Sequence, residues 1–101
     1  MKSSILFVCL GNICRSPLAE AAFRAEAERF RLDVEVDSAG TGDWHVGQPP
    51  DPRARAAAAR NGIEIGHLRA RPVEPAVFHR FEHIVAMDRQ NLANLRRMRP
   101  P

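Results

Sequence analysis

Short apolar runs alternate along the chain with longer segments whose apolar residues recur at helical spacing. Residues 4–9 form a continuous apolar run rich in β-forming residues, which is typical of a central parallel strand covered on both faces. The next segment predicts an amphipathic helix from Ser16-Pro17 to about residue 31, with Ser16 as its N-cap. Its predicted apolar face consists of Ala19, Phe23, Ala27 and Phe30, and its predicted solvent face of Glu20, Arg24, Glu28 and Arg31.

The rest of the chain continues this alternation. A second strand is predicted near residues 34–38, a Gly- and Pro-rich loop at 43–50, and a helix that Asp51 opens as N-cap and Asn61-Gly62 closes. Residues 63–72 are predicted to be irregular, 74–80 a short helix, 83–87 a third strand and 89–98 a last helix. Strands and helices in this order are typical of an α/β fold with a parallel sheet and right-handed crossovers.

Composition and charge narrow the class of protein. A chain of 101 residues has room for one domain, residues 1–101, and contains no apolar run long enough to span a membrane. The apolar start lacks a small-residue cleavage site, so we read it as a strand and expect a cytoplasmic protein. The net charge of +3 suits an anionic, phosphorylated partner. Nucleic-acid binding is not expected, because the sequence has neither a recognisable module nor interleaved aromatic residues.

The candidate chemistry lies between the first strand and the first helix. Cys9 ends the predicted strand and Arg15 stands at the start of the helix, at the sheet edge where α/β proteins bind ligands. The residues between them should curl and point successive backbone N–H groups inward, as an anion-binding nest beside a helix N-terminus. Arg15 offers a planar fork for two phosphate oxygens, and the same positive surroundings favour the thiolate form of Cys9.

These residues carry a specific resemblance. VCLGNICRSP at 8–17 resembles the signature of the low-molecular-weight protein tyrosine phosphatases, and the likeness continues through DSAGT (37–41), DWHVG (43–47), DPRA (51–54) and MDRQNL (87–92). The resemblance implies a three-layer α/β fold with a short parallel sheet of order 2-1-3 flanked by helices, in which the family's fourth strand is missing. It also implies a phosphate-binding loop that consists of Leu10, Gly11, Asn12, Ile13, Cys14, Arg15 and Ser16.

The resemblance also implies a role for each residue of the site. Cys9 would be the nucleophile that becomes a phosphocysteine, and Arg15 would bind the phosphate and its transition state. Ser16 would hydrogen-bond the sulfur, and Asn12, linked to Ser38, would hold a strained left-handed turn. Gly11, like Asn12, tolerates positive φ.

Three further residues are assigned to the cleft or to redox protection. Trp44, the only tryptophan, lies in a Gly- and Pro-rich loop and would form a wall of the substrate cleft. Ile13, bulky and apolar, favours an aryl substrate. Cys14 could trap Cys9 as a reversible disulfide, although an inert loop cysteine is the alternative.

The resemblance implies phosphotyrosine proteins as substrates, with a bacterial tyrosine kinase as one candidate partner. Inorganic phosphate, sulfate or vanadate would occupy the loop, and no metal or other cofactor is expected. The family's general acid lies in an Asp-Pro-Tyr-like loop that this sequence does not contain, so none is assigned. We therefore expect a truncated protein with weak turnover and an open third-strand edge that could support self-association. A protein-arginine phosphatase and a non-catalytic phosphate-binding or regulatory module remain the alternatives.

Overall fold

A three-stranded parallel sheet with strand order β2-β1-β3 lies at the centre of the molecule, as expected. The computed structural model describes residues 3–100. Along the chain the elements are β1 (Ser3–Cys9), α1 (Arg15–Arg29), β2 (Val34–Gly40), α2 (Pro52–Arg60), α3 (Val77–Arg80), β3 (His83–Ala86) and α4 (Arg89–Met98).

Successive side chains of β1 point to opposite faces of the sheet and pack against different helices. Leu6 and Val8, both fully buried, join a cluster that includes Val77 of α3, Phe81 directly after it and Leu95 of α4. Phe7 between them packs its ring on Phe23 of α1, with the ring centroids 5.8 Å apart. Helices therefore cover both faces, and the molecule has three layers.

The strand register brings the carboxyl ends of all three strands to one edge. Cys9 is paired with Gly40 at the end of β2, and Val8 with Ala86 at the end of β3. Just beyond β3, the backbone N–H of Met87 donates to the carbonyl of Val8 at 2.9 Å. This edge is where ligands bind in open α/β sheets.

The predicted cap of the second helix and the predicted bounds of the last helix are confirmed. The side chain of Asp51 accepts from the backbone N–H of Arg53 at 2.8 Å and so caps α2, which ends at Asn61 and the left-handed Gly62. The last helix has its predicted bounds. Within residues 3–100, β3 pairs only with β1, and Val85 on it is exposed. No helix in this part of the chain is long and apolar enough to cross a membrane.

Two predictions for the first helix were wrong: its N-cap is not Ser16, and its apolar face does not extend to Phe30. The helix begins at Arg15 with Cys14 as N-cap, so Ser16 lies inside the first turn and its hydroxyl bonds elsewhere. At the other end the helix stops at residue 29, and Arg31 has a φ of 55°, so Phe30 lies beyond the helix and is 63% exposed. Between these ends Glu20, which we placed on the solvent face, is buried because it bonds partners on β2 and on its own helix.

The other differences are in length. The second strand runs two residues further than predicted, to Gly40, because it stays paired with β1 as far as Cys9. The third strand is one residue shorter, and the helix predicted at 74–80 forms only over Val77–Arg80.

The central position of β1 generates a stability prediction. Leu6→Ala should lower the free energy of unfolding by about 2–5 kcal/mol, because it empties part of a fully buried cluster. Leu32→Ala, which removes the same atoms from a side chain that is 60% exposed, should change it by less than about 0.5 kcal/mol. Urea unfolding followed by circular dichroism measures both variants, and equal losses would contradict this description of the core.

Candidate active site

The 9–16 loop turns the chain from β1 into α1 at the ligand-binding edge of the sheet. The backbone N–H of Thr41 donates to the carbonyl of Cys9 at 2.9 Å, and that of Gly42 to the carbonyl of Leu10 at 2.8 Å. These bonds hold the first half of the loop against the end of β2. The second half leads into the first turn of α1, whose backbone N–H groups lack partners within the helix. The loop is thus fixed at both ends beside a partial positive charge.

The thiol of Cys9 lies under this loop and is nearly buried, with 3% of the residue exposed. Its sulfur is 2.9 Å from the hydroxyl oxygen of Ser16 and accepts from the backbone N–H of Asn12 at 3.2 Å. The backbone N–H of Asn12 and the hydroxyl of Ser16 can thus both donate to this sulfur. The predicted contact between Cys9 and Ser16 is therefore present.

Asn12 connects the loop to two other segments. Its Nδ2 donates to the hydroxyl oxygens of Ser16 at 2.8 Å and Ser38 at 3.0 Å, while its Oδ1 accepts from the backbone N–H of Arg71 at 2.9 Å. Its φ is 57°, in the left-handed region that asparagine tolerates better than most residues. The expected left-handed turn and its link to Ser38 are both present.

Gly11 serves the loop for a different reason than we expected. Its φ is not positive; instead, a Cβ at this position would lie 2.9 Å from Cδ2 of the His45 ring. The imidazole packs directly on the backbone of the loop, so a side chain at this position would force the ring to shift.

Arg15 contacts an acidic residue that sequence reasoning missed. Its Nη1 lies 2.8 Å from Oδ2 of Asp88, at the carboxyl end of β3, and both side chains are partly exposed. The Oδ1 of Asp88 accepts from the backbone N–H of Asn91 and caps α4. That N–H group and the Arg15 guanidinium lower the pKa of Asp88, and the Asp88 carboxylate in turn raises the pKa of Arg15. An aspartate directly after a parallel strand was the signal that could have identified it.

An open cleft of about 290 Å³ lies above the loop. Trp44 is 68% exposed, and its ring lies against Gly42, where a Cβ would clash at 1.9 Å. Both predicted cleft residues, Ile13 and Trp44, line this cleft. Its full lining is Cys9, Leu10, Gly11, Ile13, Cys14, Arg15, Trp44 and His45.

Cys14 lies at the lip of the cleft as the N-cap of α1, and neither it nor Cys9 forms a disulfide in this structure. Burial and the Asp51 carboxylate raise the pKa of the Cys14 thiol, so it is mostly protonated at neutral pH. The proposed disulfide with Cys9 stays a prediction. No group of three or more His, Cys, Asp or Glu residues that could hold a metal occurs among residues 3–100.

This arrangement matches a known family. The chain matches the sequence model described as "Low molecular weight phosphotyrosine protein phosphatase" over residues 4–100. It is 52% identical over 99 residues to the low molecular weight phosphotyrosine protein phosphatase of Schizosaccharomyces pombe, with 95% of this chain and 63% of that protein covered.

Two solved structures are similar. YfkJ from Bacillus subtilis superposes with a TM-score of 0.94 at 45% identity, over 97% of this chain and 63% of that one. DARP, a drosophila arginine phosphatase, gives a TM-score of 0.90 at 38% identity, over 97% and 61%. The chain thus spans just over three fifths of the length of these relatives. It belongs to the low molecular weight phosphotyrosine protein phosphatase family.

Proposed function

We propose that this protein hydrolyses phosphotyrosine through a phosphocysteine intermediate on Cys9. The observation that carries the proposal is the geometry of the Cys9 sulfur, which accepts from the Asn12 N–H and contacts the Ser16 hydroxyl. Cys9 and Arg15 line the same open cleft. Phosphoryl transfer depends mainly on positioning the reactants and on stabilising charge, and these groups supply both.

The reaction has two steps. The Cys9 thiolate attacks phosphorus, so that a P–S bond forms as the P–O bond to the aryl group breaks and the phenolate departs. Water then attacks the phosphocysteine, which releases inorganic phosphate and restores the thiolate. Ser16 lies where its hydroxyl can stabilise the sulfur as attacking and as leaving group. A leaving group that is stable as an anion needs no proton from the protein.

The walls of the cleft support an aryl substrate. Trp44 and Ile13 offer apolar surface above the loop, and a phenyl ring gains from stacking on an indole. An arginine phosphatase is the second candidate, which the similarity to DARP favours. A module that binds phosphate without turnover is the third, and inorganic phosphate, sulfate or vanadate would be its ligand.

We also propose a location and a partner. A free thiol at the centre of the site supports a reducing compartment such as the cytoplasm. A bacterial tyrosine kinase as substrate, and self-association along β3, stay predictions.

The nucleophile gives the first test. The 101-residue chain should turn over an aryl phosphate with a low leaving-group pKa, weakly if no residue protonates the leaving group, since general acid catalysis is typically worth about 10²–10⁴-fold. Cys9→Ser should abolish this turnover, as measured by stopped-flow release of the phenolate. Equal rates in Cys9→Ser would overturn the assignment, and tight vanadate binding without any phenolate release would favour the non-catalytic module.

The Arg15 fork gives the second test. Arg15→Lys keeps the charge but loses the planar fork, so kcat/KM for the aryl phosphate should fall about 10- to 100-fold. Arg60→Lys, an exposed site at the far end of α2, is the matched control and should leave kcat/KM unchanged. Similar values for both variants would mean that Arg15 acts only through its charge.

The ion pair to Asp88 predicts a flat pH dependence. Because the pKa of Asp88 is lowered, its carboxylate is ionised at every pH above that lowered pKa. The contribution of the ion pair to kcat/KM is lost only when the pH falls through this pKa. Asp88→Asn should therefore lower kcat/KM about 10-fold or more, and this loss should be constant between about pH 5 and 8. Asp33→Asn, at an exposed position, is the control and should leave kcat/KM unchanged. A loss confined to part of that range would contradict the ion-pair explanation.

Substrate class is tested with peptides. Phosphotyrosine peptides should be hydrolysed with a higher kcat/KM than phosphoarginine peptides, and Trp44→Ala should raise KM for the phosphotyrosine peptide several-fold through lost stacking. Phe30→Ala removes an exposed aromatic ring at the opposite end of α1 and should have no effect. The reverse substrate preference would favour the arginine phosphatase.

A further inference from the structure

A buried carboxylate lies behind the 9–16 loop, one helical turn beyond Ser16. Glu20 is 3% exposed; its Oε1 accepts from the hydroxyl of Ser38 at 2.7 Å, and its Oε2 pairs with Nη2 of Arg24 at 3.0 Å. Burial raises the pKa of Glu20, which means that the charged form is costly at this position. Replacing a buried ion pair by apolar residues is often neutral or stabilising, so stability alone does not explain a carboxylate here.

The bond from the Arg71 N–H determines which group donates and which accepts in each hydrogen bond around Asn12. The N–H of Arg71 occupies Oδ1 of Asn12, so the Nδ2 group faces the two serine hydroxyls and can only donate to them. Both hydroxyl oxygens must therefore accept. The hydrogen of Ser16 is then left to donate to the sulfur of Cys9, and that of Ser38 to Oε1 of Glu20.

A competing arrangement would break the contact to the nucleophile. If the Asn12 amide turned over, its oxygen could accept from both serine hydroxyls, and Ser16 would donate to Asn12 instead of to Cys9. Two groups oppose this state. The N–H of Arg71 would then face an NH₂ group, and Glu20 draws the Ser38 hydrogen away from Asn12, so that Ser38 offers a lone pair there.

We propose that Glu20 is a positioning residue for the nucleophile: its carboxylate orients the Ser38 hydroxyl, which keeps the Asn12 amide in the state that directs the Ser16 hydroxyl at Cys9. The proposal rests on the proposed role of Cys9 as nucleophile. It assigns a use in the reaction to a carboxylate that touches neither the cleft nor the substrate.

A purely electrostatic role for Glu20 would have the opposite sign. A negative charge near Cys9 disfavours a thiolate, so its removal should make Cys9 more reactive. Arg24 on the same helix pairs with this charge, and Asp37 and Arg71 act on it from β2 and from the segment before α3. Glu28, Glu64 and His67 line the groove next to it.

Alkylation of Cys9 separates these roles without any phosphatase turnover. Iodoacetamide reacts with the thiolate, and fragmentation of the 3–15 peptide by tandem mass spectrometry distinguishes Cys9 from Cys14. Glu20→Leu, which cannot accept a hydrogen bond, should slow alkylation of Cys9 about 3- to 10-fold at fixed pH and move the midpoint of its pH profile upward. Glu20→Gln, whose amide oxygen can still accept from Ser38, should recover most of the rate. Glu28→Leu, an exposed position on the same helix, should match the wild type.

A double-mutant cycle tests whether the effect passes through Ser38. In a Ser38→Ala background, Glu20→Leu should cause little further slowing, since the hydroxyl that it orients is gone. Faster alkylation in Glu20→Leu and Glu20→Gln would show that charge dominates, and fully additive losses would show that Glu20 acts independently of Ser38; either result overturns the proposal.

The folding of each variant is measured alongside its alkylation rate. Circular dichroism melting identifies variants that fail to fold, and Glu20→Gln and Ser38→Ala are the gentler changes if Glu20→Leu is one of them. An unchanged alkylation rate in folded Glu20→Leu with a lower Tm would reduce Glu20 to a structural residue. A wild-type chain that alkylates normally but shows no phosphatase turnover would instead count against the proposed function and leave the positioning role intact.

Discussion

The side chain of Asn12 is the constraint on which the site depends. Its amide bonds three segments at once. It donates to Ser16 at the end of the loop and to Ser38 on β2, and it accepts from the N–H of Arg71 before α3. Its backbone adopts a left-handed conformation that costs energy and persists only where the surroundings hold it. The fixed amide gives the Ser16 hydroxyl a defined direction, and through it the sulfur of Cys9 gains a donor. Loss of any one of these bonds would leave a buried polar group without a partner, so the cluster should form as a unit.

The sheet and the loop could be predicted from the sequence because their signals are local. A continuous apolar run indicates a covered strand, and a cysteine and an arginine around a short polar loop indicate an anion site. The first helix shows where such reasoning fails. From its charge and spacing we placed Glu20 on the solvent face of α1. It is buried instead, because its carboxylate accepts from the Ser38 hydroxyl and pairs with Arg24. Ser16 has the residue type of an N-cap, but its hydroxyl is committed to the sulfur and to Asn12, a tertiary contact that no propensity scale contains.

Asp88 was missed for a related reason. Its local role as the cap of α4 is readable from the sequence, since an aspartate precedes a helix that starts after a strand. Its second role needs the register of the sheet, because only the parallel pairing of β3 with β1 brings it within 2.8 Å of Arg15. One carboxylate thus ties the end of the third strand to the guanidinium that would hold the phosphate, which makes the geometry of the site depend on all three strands.

The walls of the cleft show how exposed aromatic rings can still be positioned. Trp44 is mostly open to solvent, so packing in a core cannot fix its ring. Instead the indole lies on the backbone at Gly42, and the neighbouring His45 lies on the backbone at Gly11, where any Cβ would collide with the rings. A bond between Nδ1 of His45 and Oε1 of Gln48 at 2.9 Å further fixes the imidazole. The two glycines therefore determine how far the walls stand from the loop, because each ring rests on a main chain that is itself held by hydrogen bonds. The positions of both walls thus depend on the glycines at 11 and 42 as well as on the rings, and residue type at 44 and 45 alone would not predict them.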